Sequence, residues 1–447
     1  MAERILVIQL AKLGDFIQST PLLANIRRRW PSAALVMAAE QAAVREAAAL
    51  SPLVDEVFRV EESGPPPEGF FRAVFVLNSH PRAAALAQGV DHQEHYGPTL
   101  AGDRLIFDEA RLFLLELVRS HRPLGRFNLV DVWNSLLPEA RPEPLVWPKP
   151  TLPAPERGRE LKVGFQLGSR NHLRRWPVEN FVSLAGHLAE AGLPIRPVLL
   201  GSPEEKALGR KYEKLAGSNP PVLNLIGSTN LKGLAGALAG LDLLVSGDTG
   251  SLHLAAALQT PALALFFGPA FGPETGPYGS GHIIYQAAAP CSPCRESGSC
   301  GLRQCREMPD PALAARLAEA LLKKDDAFLA REISLPPSHR LWRSGLDSFG
   351  LSLEPLGRPL LSETEFTALL MTALGRRILR PAYEDGPEAV LAALKAYSLP
   401  PGPWPSAGRA FQSLVDRTFP QYSSAAAELY SKVAERSSEF GLKLALT

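Results

Sequence analysis

Apolar residues along the chain alternate between two textures. Short, nearly continuous apolar runs suit strands buried on both faces. Between them lie segments whose apolar positions recur every third or fourth residue, the period of a helix packed on one side. The first run is Ile5–Leu10, followed by the loop AKLGD and a predicted helix from Ser19 to Arg29, with Pro21 suited to its first turn. Ala34–Ala38, Val54–Val60 and Ala73–Leu77 read as further strands, Gln41–Leu50 as a helix, and Arg111–Leu117 as the start of a leucine-rich helix. The alternation restarts at Leu161–Gln166 and continues with strands at Ile195–Leu200, Val222–Leu225, Leu241–Ser246 and Ala262–Phe267. Helices over Val178–Ala191, Glu204–Ala216, Leu231–Ala239 and Ser251–Leu258 lie between them. Strand–helix alternation of this kind specifies α/β architecture with doubly wound parallel sheets.

Between the two blocks the stretch LPEARPEPLVWPKPTLPAPERGRE is rich in proline and loses all periodicity, which places a linker at about 140–160. The expected organisation is a Rossmann-like domain over 1–150, a second over 160–325, and a mostly helical extension over 326–447. Thr364–Leu374 and Pro387–Tyr397 carry helical patterns in that extension, and no chemical motif is found there. Two doubly wound domains in succession imply a cleft between the carboxyl ends of their strands, where ligands bind.

Composition narrows the function classes. A net charge of +1 and 7% aromatic residues give no electrostatic or stacking case for nucleic acid. No run approaches the ~18 consecutive apolar residues of a spanning helix. The first apolar run is too short for a signal peptide's core, is broken by Gln9 and lacks a cleavage site, so the cytoplasm is the expected compartment.

Candidate chemistry gathers in strand-to-helix loops. Gly14-Asp15 follows the first strand; Asp15 reads as a proton acceptor in the cleft or as a helix cap, and Gly14 as room for a tight turn or a close ligand. SGDTGSLHLAAAL, residues 246–258, opens a helix. Asp248, Thr249 and Gly250 there would aim N–H groups at an anion, with His253 one turn on; the alternative is an ordinary capped helix start. QLGSRNHLRRWP, residues 166–177, offers Gly168, Ser169, Arg174 and Arg175 to phosphate, or is a solvated basic loop. In LLGSPEEKAL, Glu204 or Glu205 could accept ribose hydroxyls or simply suit the helix dipole. Cys291, Cys294, Cys300 and Cys305 have C-x2-C-x5-C-x4-C spacing, which fits a structural zinc site, an iron–sulfur cluster or unliganded thiols. Arg27-Arg28-Arg29 reads as a dipole complement on a solvated face, with contact to anionic lipid as the other reading.

Taken in order, these motifs resemble glycosyltransferase family 9, the ADP-heptose:lipopolysaccharide heptosyltransferases. The carriers are ILVIQLAKLGDFIQSTPLLANIRRRWP, VGFQLGSRNHLRRWPVENFVSLAGHL, SGDTGSLHLAAALQTPALALFFGP, PYGSGH and the CSPC…C…C segment, together covering about residues 1–320. The resemblance implies a GT-B fold, with acceptor on the first half and nucleotide sugar on the second. It implies an inverting, metal-independent transfer of a sugar, by family default heptose from ADP-heptose, to a lipid-linked or lipopolysaccharide-core glycan. Contact with the inner membrane would then be peripheral, and no cofactor would be required. By position it makes Asp15 the general base, Ser169 and Arg174 phosphate contacts, Glu205 a ribose contact, and Asp248, Thr249, Gly250 and His253 the donor block. Arg174 replaces a frequent lysine, Gln166-Leu167 a more polar turn, and Ser251-Leu252 a commoner pair, which bears on the donor more than on the reaction. The competing readings are a nucleotide-sugar epimerase or hydrolase of the same fold and a non-catalytic nucleotide-sugar or glycan-binding scaffold.

Overall fold

The structure is a computed structural model of the chain. It describes all residues except 1–2, 63, 152–159, 218–219, 295–299, 301–303, 331–332, 334, 337, 358, 382–385, 399–402, 405–406, 438–442 and 445–447. In the first half, β1 (Arg4–Ile8), β2 (Ala34–Ala39), β3 (Glu56–Arg59), β4 (Phe71–Val76) and β5 (His92–Tyr96) pair in parallel in the order β3-β2-β1-β4-β5. Helices α1 (Leu13–Arg29), α2 (Ala42–Leu50) and α3 (Pro81–Gln88) cross between strands. Apart from Arg4 and Arg72, the central strands β1 and β4 are apolar and buried, because both their faces are covered. At the sheet's edge β5 is His-Gln-Glu-His-Tyr, only partly buried, so no apolar run announces it. A small hairpin, β6 (Thr99–Ala101) and β7 (Arg104–Ile106), then leads to α4 (Glu109–His121) and α5 (Leu129–Asn134).

The second sheet contains β8 (Leu161–Gln166), β9 (Ile195–Leu200), β10 (Leu223–Asn224), β11 (Leu243–Ser246), β12 (Ala262–Phe266) and β13 (Ile283–Ala287). These run parallel in the order β10-β9-β8-β11-β12-β13. Its helices are α6 (Val178–Glu190), α7 (Lys206–Ala216), α8 (Leu231–Ala239), α9 (Gly250–Ala257), the single turn α10 (Gly272–Thr275), α11 (Pro311–Lys323) and α12 (Asp326–Ala330). Part of the proline-rich linker, residues 152–159, lies outside the described residues.

The helix after β1 differs from its sequence expectation. It begins at Leu13, not Ser19, so Gly14 and Asp15 form its first turn and Pro21 lies in its interior. Proline cannot donate to the carbonyl four residues back, which is that of Ile17. The Thr20 hydroxyl donates to that carbonyl instead at 2.7 Å, and the Ser19 hydroxyl donates to the Phe16 carbonyl at 2.7 Å. The basic run at this helix's end is engaged in ion pairs: Arg27 with Asp55, Arg28 with Glu143, and Arg29 with Glu139 and Glu94. That is the dipole-complement reading, and it leaves little for a lipid headgroup.

The helical texture read past residue 325 is also interrupted. An antiparallel pair, β14 (His339–Leu346) and β15 (Leu351–Pro355), extends the second sheet beyond β13. Helices α13 (Glu363–Leu379), α14 (Gly386–Leu394), α15 (Ala407–Thr418) and α16 (Ser423–Ser437) then form a bundle. Its core, with Phe366, Leu370, Phe411 and Val433, is shared with Phe113 and Leu117 of α4 and with Phe127. The extension therefore spans both halves: its strands join the second sheet and its helices pack on the first half.

Buried polar links reinforce that span. Glu365 of α13 pairs with Arg126 and, at 3.0 Å, with Arg340; burial would raise its carboxyl, but the two guanidinium groups hold it at about 2. Asp131 of α5 accepts Tyr278 Oη at 2.8 Å and the Leu351 N–H at 3.0 Å. Burial pushes the Asp131 carboxyl up to about 6 despite those donors and the nearby Arg376 and Arg380. Among the described residues no helix is long and apolar enough to cross a membrane.

Candidate active site

In each sheet the strand order reverses at its first strand, with β1 between β2 and β4 and β8 between β9 and β11. Connections leave such a switch point in opposite directions, opening a crevice at the strands' carboxyl ends. Gly14-Asp15 follows β1, Gly168-Ser169 follows β8, and Asp248-Thr249-Gly250 follows β11. The fold turns the two crevices toward each other, so that the first turns of α1 and α9 meet. Glycine makes this approach possible: a Cβ on Gly14 would lie 2.8 Å from His253 Cδ2 and 3.6 Å from Gly250 Cα. On the opposite side, a Cβ on Gly250 would lie 3.6 Å from Leu13 Cδ2.

Charge is concentrated at this meeting point. Asp248 is 9% exposed and accepts from Arg174 Nη1 at 2.6 Å, with His253 Nε2 at 3.8 Å from its other oxygen. Burial alone would raise the Asp248 carboxyl, but His253 and Arg174 more than offset it and hold the carboxyl below its ordinary range. His253 is 3% exposed and its Nδ1 has no partner among the described residues. Thr249 is the N-cap of α9: its hydroxyl accepts the Leu252 N–H at 3.4 Å and lies 3.0 Å from Ser246 Oγ. The first-turn N–H groups of α9 beyond the cap are thereby presented toward the crevice.

Across the contact, the Asp15 carboxylate accepts the Lys12 N–H at 3.0 Å, so the capping role read from sequence is present. Capping occupies one lone pair of one oxygen and leaves acceptor capacity. Burial raises the Asp15 carboxyl; the Lys12 N–H, His253 and the Lys12 side chain oppose this in part, while the charge of Asp248 adds to it. A raised carboxylate is a stronger base.

The neighbouring loops are organised by Gln166, at the carboxyl end of β8. Its Nε2 donates to Glu205 Oε2 at 3.4 Å and to the Gly168 carbonyl at 3.3 Å, while its Oε1 accepts Ser251 Oγ at 2.9 Å. Glu205 is buried and also accepts the Ser202 N–H at 2.9 Å. It fits only because residue 168 is glycine, where a Cβ would fall 1.9 Å from the Glu205 carboxyl. Arg175 Nε donates to the Ser169 carbonyl at 2.6 Å, which holds the turn that buries Ser169.

Residues 149–302 match the family model described as glycosyltransferase family 9 (heptosyltransferase). The matched segment holds β8 to β13 and the loops between them. The chain is 36% identical over 121 residues to lipopolysaccharide heptosyltransferase 1 of Pseudomonas aeruginosa, covering 27% of this chain and 32% of that protein. The match to heptosyltransferase 1 of Escherichia coli K12 likewise spans about a third of that relative, 34% of its length. Lipopolysaccharide heptosyltransferase 2 of Escherichia coli K12 is 26% identical over 318 residues, 61% of this chain and 85% of that one. Among solved structures, E. coli ADP-heptose lps heptosyltransferase II aligns over 72% of this chain and 99% of its own with 21% identity and a TM-score of 0.54. A family 9 transferase from Veillonella parvula aligns over 72% and 97% with 19% identity and a TM-score of 0.53. The fold is GT-B, as the sequence resemblance implies, with a helical C-terminal region.

Of the family 9 positions expected from sequence, the structure brings Gly14, Asp15, Arg174, Asp248, Thr249, Gly250 and His253 to one place. Glu205 joins them through Gln166 and Ser251, and Gly168-Ser169 forms the adjoining turn. The four cysteines stand apart, lining a small pocket behind Leu173 and Gly268. None is in a disulfide, and among the described residues no three His, Cys, Asp or Glu side chains are grouped closely enough to hold an ion as they stand. Gln166 enters the sequence reading only as a departure from the family's turn and not as a site residue, although a polar residue ending a buried strand was the available signal. The Arg122–Glu274 ion pair, 2.6 Å, carried no signal, because its two residues are remote in sequence.

Proposed function

We propose that the chain is an inverting, metal-independent glycosyltransferase that moves a sugar from a nucleoside diphosphate to a glycan hydroxyl. Heptose from ADP-heptose and a lipopolysaccharide-core acceptor are the substrates that the relatives' names favour, with the lipid-linked acceptor met at the cytoplasmic face of the inner membrane. The observation that carries this reading is the meeting of Asp15, from the first sheet, with the Asp248–His253 block of the second across two facing glycines. Asp15 takes the acceptor hydroxyl's proton as that oxygen attacks the anomeric carbon. The bond from that carbon to the diphosphate oxygen breaks, and the electron pair leaves with the nucleoside diphosphate. The first turn of α9, Ser169 and the Arg174 guanidinium supply positive potential where that charge grows. Arg174 is oriented for this by Asp248. Bringing base and donor together only across the interdomain contact would also limit hydrolysis of the donor by water.

The test is a thermal-shift panel of ADP-, GDP- and UDP-sugars and free diphosphates, followed by transfer assays with the donor that binds. A ligand at 100 times its Kd stabilises the folded state by ~2.7 kcal/mol. The expected result is a shift with one nucleotide series that is lost in Thr249→Val and Arg174→Ala, and turnover only with an acceptor present. Donor turnover without any acceptor would instead identify an epimerase or hydrolase. Binding without turnover on any lipid-linked glycan would identify a scaffold.

A further inference from the structure

Two of the positions at which the chain departs from the commoner family residues, Gln166 and Ser251, are hydrogen-bonded to each other: Ser251 Oγ donates to Gln166 Oε1 at 2.9 Å. Neither has a part in the transfer described above. We propose that Gln166 is a positioning residue that fixes the spacing between the two ends of the nucleoside diphosphate site, a role that rests on the donor-site reading above. It ties Glu205, at the nucleoside end, to the first turn of α9, at the diphosphate end.

Strand register places the pair. Gln166 ends β8, the switch-point strand, beside Leu200 of β9 and Ser246 of β11. Glu205 and Ser251 each lie five residues beyond those neighbours, and both loops return to the end of β8. Gln166 is 7% exposed and uses both ends of its amide. That amide can sit only one way round. The Gly168 carbonyl, at 3.3 Å, and the Glu205 carboxylate, at 3.4 Å, only accept, so Nε2 faces them; Oε1 then faces Ser251, which must donate. The Glu205 carboxylate occupies space that two glycines leave open: a Cβ would fall 1.9 Å from its Oε1 at residue 168 and 2.7 Å from its Oε2 at residue 201. Both of its hydrogen bonds, from Gln166 Nε2 and from the Ser202 N–H at 2.9 Å, fall on Oε2. Oε1 has no donor among the described residues and is left to accept from a ligand hydroxyl, the chemistry of a ribose.

At the other end of the relay, Ser251 is the second residue of α9, among the first-turn N–H groups that suit an anion. Gln166 itself need touch no donor atom. It joins an acceptor for hydroxyls to a positive helix end through groups that belong to different loops. A nucleoside diphosphate carries a sugar hydroxyl and a diphosphate on one molecule, so it needs the two held at one spacing. Inorganic pyrophosphate engages the helix end alone. Removing the amide therefore separates the two ligands: Glu205 loses a donor and gains freedom, and binding of the nucleoside must then order it again.

The test is isothermal titration of the full chain with ADP, GDP, UDP and inorganic pyrophosphate. Gln166→Leu keeps the bulk and removes the hydrogen bonds. The best-bound nucleoside diphosphate should weaken by about 10–100-fold and pyrophosphate by less than about 2-fold. In transfer assays the donor KM should rise while kcat stays nearly level, the pattern of lost binding without lost chemistry. Ser251→Ala should weaken the nucleoside diphosphate in the same direction, and Ser251→Thr, which keeps the hydroxyl, should recover it. Gln166→Leu combined with Ser251→Ala should bind no more weakly than Gln166→Leu alone, because both break one relay. Ser251 is partly exposed, so its variants carry the same comparison if Gln166→Leu does not fold. Equal weakening of both ligands would make Gln166 a support of α9 alone and overturn the proposal. Unchanged nucleoside diphosphate binding in Gln166→Leu, with the parent chain binding it, would overturn the proposal and leave the donor site standing. A parent chain that binds none of the four ligands removes the donor site, and the positioning role with it.

Discussion

Replacing Gly14 with alanine separates the interdomain contact from ordinary stability. The new Cβ would sit 2.8 Å from His253 Cδ2, whereas carbon atoms rest at ~3.5–4.0 Å, so the two must part by roughly 0.7 Å or more. His253 is 3% exposed and beside Asp248, so its ring has little room to yield, and α1 must move against α9. Overpacking of this kind costs about 1–3 kcal/mol. Alanine in place of glycine in a helix returns about 1 kcal/mol. The net loss of stability is then about 0–2 kcal/mol, readable as a modest fall in the urea midpoint. Catalysis is more sensitive, because a displacement near 1 Å between reacting groups can cost about 100-fold. The expected kcat/KM is therefore lower by about 10–100-fold. Gly186→Ala in α6 is the control: nothing lies within 4 Å of the added Cβ, so it should gain roughly 1 kcal/mol and keep full turnover. If Gly14→Ala turns over like the parent chain, the meeting of α1 and α9 is no part of the reacting geometry.

Asp15→Asn should bind donor as the parent does while turnover falls by at least about 100-fold; equal turnover removes Asp15 as the base. Because burial raises the Asp15 carboxyl and the base acts deprotonated, kcat/KM should fall as pH drops through a value above 3.8, and an acid limb at or below that value contradicts the assignment. Glu365→Gln strands Arg126 in the core and should cost about 3–5 kcal/mol in urea unfolding. Glu365 is depressed to about 2 in the folded chain, so its contribution is present above 4.5 and is lost as pH falls through about 2; the variant should lack that loss. Asp131 behaves in the opposite sense. Its folded value is about 6, so the stability of its neutral form is complete below 3.8 and is lost as pH rises through about 6. Relative to Asp131→Asn, the parent should lose about 3 kcal/mol between pH 4 and 7, and parallel stability profiles would refute the raised carboxyl.

The strand–helix alternation was legible because strands covered on both faces are apolar along their buried length, as β12 is throughout and as β1 and β8 are apart from Arg4, Lys162 and Gln166. Edge elements escaped for the same reason: β5 is polar and half-buried. The pair β14–β15 sits in a stretch whose helical texture prevailed in the reading. The start of α1 was misplaced because Pro21 resembles a first-turn residue. Only the Thr20 hydroxyl, turned back to the Ile17 carbonyl, shows how the helix tolerates it.

By itself the sequence determined the local chemistry of each loop: a glycine and a carboxylate after β1, a capped helix start after β11, arginines after β8, and four thiols at one spacing. These are properties of neighbouring residues, and short-range geometry suffices to read them. The tertiary structure decided which loops meet. It set Gly14 against His253, directed Arg174 to Asp248, made Gln166 the joint between Glu205 and Ser251, and used the extension to tie both halves through Asp131 and Glu365. Those contacts join residues far apart in the chain, and packing between separate sheets and helices, with no local periodicity to record it, is what brings them together.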